Sequence, residues 1–308
     1  MDSASSLVSI GTHCLFISVS GPPRAVKDPI VIIIAGAGDV SSSYVAVERL
    51  VASFCSIAIF DRSGLGHSED GPQRHTATAA ATELHALLKG AQIDPPLILV
   101  GHSYGGIVAR EYFHLYPDTV AGMVLSDAAT ERMSEYFRVP DPNIDAVMGS
   151  LKYSQVTGLR EDSNLSRDEW RTRAADISRG TVAAKAEAAA FIEVCETLGQ
   201  KEQFKKCAMG ARPLSVIRCN SARDYERIYE KGVEAGNGTE EQQRAFRQLL
   251  DRWDDIDRSL KEDQLQLSSI SRLVHVPDCG HHVHLVRPNV VAEEIQWVLD
   301  MLRLEFQV

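Results

Sequence analysis

The sequence predicts an α/β fold, a mostly parallel, doubly wound sheet with an inserted helical block. Three observations carry that prediction. Apolar runs of strand length recur along the chain with helical patterns between them. One of them, residues 30–34, is apolar at every position, as a strand covered on both faces must be. The alternation stops over residues 128–211, in a charged, Ala-rich stretch of helical tendency, and then resumes.

Taken in order, residues 7–10 and 14–19 read as two short strands joined by a turn at Gly11, followed by a Pro/Gly loop over 22–29. Further strands are expected at 56–60, 97–100 and 122–126, with helices at 43–52, 76–89 and 105–116. Within the inserted block the most helical stretch is 181–198. A strand at 214–217 follows, then a long charged helical region to about residue 260, a strand at 273–276 and a closing helix over 289–304. The expected division is therefore a core of residues 1–127 and 212–308 with a helical cap of 128–211.

The chain has 308 residues, near the size at which one hydrophobic core stops growing, so one large domain with an insertion is expected. A hydrophobic fraction of 44% and a charged fraction of 24% are ordinary globular values, and no window is apolar for long enough to span a bilayer. The net charge of −10 repels phosphate backbones, which argues against a nucleic-acid partner. The first twenty residues lack a basic start followed by a long apolar run, and the six cysteines show no close paired spacing. A reducing, cytoplasmic setting is expected.

The strongest local signal is an apolar strand, residues 97–100, running into Gly101-His102-Ser103-Tyr104-Gly105-Gly106 and then a helical pattern. A serine hydroxyl is a weak nucleophile until a sharp turn exposes it beside a base at a helix N-terminus, and small residues two before and two after it let the turn close. His102 is read as structural. His281 follows an expected strand and Gly280, so it can lie on a loop reaching back over that turn; His282 is the alternative base. The run His281-His282-Val283-His284 could suggest a metal, but no acidic residue follows to complete such a pattern, and no metal is expected.

These motifs resemble the α/β-hydrolase family. Residues 101–106 look like its nucleophile turn, residues 60–68 (Phe-Asp-Arg-Ser-Gly-Leu-Gly-His-Ser) resemble its Asp-Arg-x-Gly-x-Gly-x-Ser loop, and residues 277–281 with Pro288 resemble its catalytic-histidine loop. The resemblance implies that the acid follows either the strand after the cap, here Asp224, or the strand ending at Ser126, here Asp127. The usual glycine is missing before Asp224, so Asp127 is favoured. It also implies an oxyanion hole from the amides of Tyr104 and Ala37, although Ala35 stands where the family usually has histidine, so that loop needs other support.

The expected chemistry is acyl transfer from an ester, lactone or thioester, such as a polyketide-like or other apolar small molecule, with no cofactor. Cyclases, lyases and small-molecule receptors of the family share the same triad, so they stand as alternatives. Residues 36–41 after an apolar strand, with Asp61 ending the next one, also imitate a dinucleotide-binding fingerprint; the third glycine is Ser41, and an NAD-dependent reading leaves residues 101–106 and 277–281 unexplained. Met133, Tyr136, Phe137, Met148, Phe191 and Ile192 are the expected apolar residues of the cap, either lining a pocket or gluing cap to core.

Overall fold

Why the apolar runs become strands is visible in the computed structural model, which describes residues 4–25 and 27–305. Eight strands form one sheet: β1 (Ala4–Ser9), β2 (Cys14–Ser20), β3 (Ile30–Ile34), β4 (Ile57–Phe60), β5 (Leu97–His102), β6 (Val120–Ser126), β7 (Leu214–Cys219) and β8 (Ser271–Val276), in the spatial order β1-β2-β4-β3-β5-β6-β7-β8. The pairs β1–β2 and β2–β4 are antiparallel, and every pair from β4 through to β8 is parallel. Strands β3, β4, β5 and β7 are buried at every position, so they carry no polar alternation.

Helices α1 (Val45–Val51), α2 (Ala77–Gly90) and α3 (Tyr104–Leu115) cover the first half of the sheet. Leu84 and Leu87 of α2 and Ile107 and Tyr112 of α3 pack on one face with Ile32, Leu99 and Leu125. Val47 and Val51 of α1 pack on the other face with Val31, Ile98 and Val124. Between β6 and β7 lie α4 (Pro142–Met148), α5 (Tyr153–Val156), α6 (Leu159–Asp162), α7 (Arg167–Arg179), α8 (Thr181–Ala189) and α9 (Phe191–Gly199). The stretch 181–198, expected to be helical, is helical as two helices separated at Ala190.

The charged region after β7 is also two helices, α10 (Ser221–Glu234) and α11 (Glu240–Leu265), and the capping box of Thr239 and Gln242 starts the second. Both pack on α4, and a separate apolar cluster joins Phe137 and Val147 to Ile228, Phe246 and Trp253. The helical layer over the sheet edge is thus shared between the inserted block and residues beyond β7. Two last helices, α12 (Val283–Val286) and α13 (Pro288–Glu305), follow β8, and Ile295 and Val298 return α13 to the face of α1.

Parallel order brings the ends of β5, β6, β7 and β8 to one edge of the sheet. Ser103, Asp127, Asp224 and His281 all follow those ends, the position where open α/β sheets place ligands.

Candidate active site

Ser103 joins β5 to α3 with φ 52° and ψ −123°, a strained conformation for any residue with a Cβ. The surrounding glycines show how the turn closes. A Cβ on Gly105 would stand 2.0 Å from the Ile34 carbonyl oxygen, and one on Gly101 would stand 2.6 Å from the Gly105 carbonyl. Helix α3 therefore begins pressed against β3, with the Ser103 backbone held by its amide on the Ser126 carbonyl (3.3 Å) and its own carbonyl accepting from Ala129 (2.9 Å).

His281 Nδ1 lies 2.6 Å from Asp127 Oδ2. Asp127 is buried, and its other oxygen accepts from the Cys219 amide (3.2 Å). Burial by itself pushes this carboxyl up, but the Lys261 charge and the bond to His281 outweigh it and hold Asp127 below the ordinary carboxylate range. It is an anion, so Nδ1 is the protonated nitrogen, and the lone pair of Nε2 is left to accept a proton.

Asp224, the alternative acid, does not meet the ring. Its Oδ2 accepts from the His281 backbone amide (2.9 Å) and from the Tyr153 hydroxyl of α5 (2.8 Å). The approach requires Gly280, where a Cβ would fall 2.2 Å from both Asp224 oxygens.

His102 ties three segments together. The Tyr44 hydroxyl, which accepts from the Gly36 amide (3.1 Å), lies 3.0 Å from His102 Nδ1, and His102 Nε2 lies 3.0 Å from the His281 carbonyl. A carbonyl only accepts, so Nε2 carries the hydrogen and Nδ1 accepts from Tyr44. Burial holds His102 neutral, well below the usual imidazole value, and does the same at His282. His282 has no bond to Asp127 among the described residues, and its ring packs against Tyr153 at a centroid distance of 5.4 Å. His102, His282 and His284 each offer a ring nitrogen within 4.8 Å of the others, but an ion bound there would displace one of the two His102 hydrogen bonds.

The loop after β3 has support that sequence reasoning missed. Arg62 donates to the Ala35 and Gly36 carbonyls (both 2.7 Å), and its guanidinium pairs with Glu187 of α8 at 2.6 and 2.9 Å. Glu187 also accepts from the Gly38 amide (2.7 Å), leaving the Ala37 amide between them without a partner among the described residues. The Asp-Arg motif at 61–62 was the available signal. Asp61, the acid of the fingerprint imitation, is buried, and its oxygens accept from the Ser41 (2.7 Å) and His67 (2.9 Å) amides, so it braces loops.

Ala37, Ser103, Tyr104, Asp127 and His281 line one cavity of about 210 Å³. No hydrogen bond joins the Ser103 hydroxyl to His281 among the described residues; their shared cavity is what relates them. Of the expected apolar residues, Met133, Phe137 and Phe191 reach the cavity wall. Tyr136 and Ile192 are instead exposed, and Met148 packs in the cluster under α11. Tyr225 and Trp253, from α10 and α11, complete the wall.

A family model described as the alpha/beta hydrolase family matches residues 31–294. The chain belongs to that family. It is 31% identical over 306 residues to the probable transporter efuK of Hormonema carpetanum, covering 97% of this chain but 43% of that one. It is 29% identical to an AB hydrolase superfamily protein of Gibberella zeae, covering 94% of this chain and 92% of that one. The chain therefore spans less than half the length of the first relative and nearly the whole of the second. Among solved structures, an esterase from Thermogutta terrifontis superposes with a TM-score of 0.62 at 16% identity, over 98% of this chain and 99% of that one. At that identity the likeness speaks for the fold. Among the described residues, no helix of this hydrolase-family chain is long and apolar enough to cross a membrane.

Proposed function

We propose that this chain is a serine hydrolase acting on an ester, lactone or thioester of an apolar small molecule, with Ser103 as nucleophile, His281 as base and Asp127 as the acid that orients it. The observation that carries the reading is the 2.6 Å contact of His281 Nδ1 with a buried anionic carboxylate, on the cavity that Ser103 also lines. Nε2 takes the Ser103 proton as Oγ attacks the carbonyl carbon. The negative charge then developing on the carbonyl oxygen is met by the amides of Ala37 and Tyr104, the second at the N-terminus of α3. His281 returns the proton to the leaving alcohol or thiol, and water, deprotonated by the same nitrogen, releases the acid.

No cofactor takes part in this sequence of steps. The selecting cap is residues 128–211, to which α10 and α11 add Tyr225 and Trp253. Aromatic and aliphatic walls favour an apolar acyl or alcohol group over a charged one. Six free cysteines bear on a reducing, cytoplasmic location as part of the same reading.

The test is fluorophosphonate labelling together with a panel of nitrophenyl esters, lactones and thioesters. Labelling and turnover should both vanish in Ser103→Ala. Label that persists on the variant would remove Ser103 from the mechanism.

A further inference from the structure

A carboxylate that orients a histidine through one oxygen must satisfy the other, and at Asp127 a lysine shares that task. Lys261 of α11 is buried, with its ammonium 3.5 Å from Asp127 Oδ1, 3.2 Å from Asp257 Oδ1, and donating to the Ala128 carbonyl at 2.9 Å. Asp257 Oδ2 in turn accepts from Arg218 Nε (3.0 Å), and the guanidinium of Arg218 reaches Asp254 at the surface. Charges alternate from the cavity wall to solvent. Burying an ammonium is costly where an apolar side chain would serve for packing alone. Burial pushes Lys261 down, but Asp127 and Asp257 more than offset it, so the group stays charged.

We infer that Lys261 is a positioning residue of the Ser103 site: its charge on the far oxygen of Asp127 offsets part of the field that this carboxylate exerts on His281, and Asp257 moderates that charge. The inference rests on the catalytic reading above. A carboxylate beside an imidazole favours its charged form, and a cation on the far oxygen of that carboxylate opposes this.

The other groups around the pair are occupied or neutral. Asp224 of α10 accepts from the His281 amide and Tyr153, and burial keeps His102 of β5, His282 of the same loop and His284 of α12 neutral. Burial and its neighbour Cys279 push the Cys219 thiol of β7 up, so it too is uncharged, and Glu187 of α8 is paired with Arg62.

The experiment is an NMR titration of the His281 imidazole, assigned with His281→Gln, in the wild type, Lys261→Met, Lys261→Arg and Asp257→Asn, with near-ultraviolet circular dichroism as the check on folding. Lys261→Met should raise the midpoint by about one pH unit, Lys261→Arg should leave it near the wild type, and Asp257→Asn should lower it. Damage to packing does not produce shifts of opposite sign. If Lys261→Met does not fold, the other two variants decide. An unmoved midpoint in folded Lys261→Met, or an upward shift in Asp257→Asn, overturns the inference. Failure of Ser103 labelling would instead strike the catalytic reading, because the titration needs no turnover.

Discussion

Replacing Asp127 with asparagine separates the two candidate acids. The amide keeps the shape but removes the charge that His281 Nδ1 meets at 2.6 Å, and its NH2 group can donate to Nδ1, which moves the ring proton to Nε2. A ring protonated at Nε2 cannot take the Ser103 proton. Loss of a buried, charge-assisted hydrogen bond accounts for about 1.5–3 kcal/mol, and the wrong tautomer adds to it. The combined effect should be a fall in kcat of about 10³–10⁴, equivalent to roughly 4–5.5 kcal/mol. Asp224→Asn keeps a carbonyl oxygen able to accept from the His281 amide and the Tyr153 hydroxyl, so its loss should stay within about tenfold, or about 1.4 kcal/mol. The assay is kcat and KM on one nitrophenyl ester for both variants, with active sites counted by fluorophosphonate. Equal losses, or a larger loss in Asp224→Asn, would refute the assignment of Asp127.

Three further outcomes follow from the packing. Gly105→Ala places a methyl 2.0 Å from the Ile34 carbonyl, a backbone atom that cannot retreat, so the variant should lose several kcal/mol and express poorly; a melting temperature equal to the wild type would contradict this. Glu187→Ala strands the buried Arg62 guanidinium and frees the loop after β3, with about 3–5 kcal/mol lost in denaturant titration and lower kcat in whatever folds. Burial lowers His102, His282 and His284 below the usual imidazole value, so the unfolded chain binds those protons first and folding stability must fall as pH drops below about 6.5. The slope is at most about 1.4 kcal/mol per pH unit for each histidine. Urea midpoints at pH 7.5 and 5.5 measure it, and an unchanged midpoint would count against the buried neutral cluster. Asp127, held low, adds its own loss only at still lower pH, as the solution passes down through the ordinary carboxylate range and beyond it.

How much was legible in the sequence depended on how local the signal was. The run Ile30–Ile34 and the residues after it declare a buried strand, and Gly101, Gly105 and Gly106 declare a turn too tight for side chains, because both properties belong to consecutive residues. The break at Ala190 was hidden, since alanine-rich helix propensity continues across it and packing of Phe191 into the core decides the direction. The cavity wall was half hidden for a similar reason: Met133 and Phe137 stand in the inserted block, whereas Tyr225 and Trp253 arrive from helices beyond β7 that only packing on α4 brings over the site.

By itself the sequence determined the strand-and-helix alternation, the turn at Ser103 and the loop carrying His281, because periodicity, glycine geometry and strand ends are properties of short stretches of chain. Tertiary structure alone decided that His281 turns its ring to Asp127 while Asp224 takes its backbone amide, and that Lys261, 134 residues after Asp127 in the chain, stands at 3.5 Å from it. Parallel strand order sets which ends share an edge, and carboxylates identical in type become different in role through the partner each one reaches.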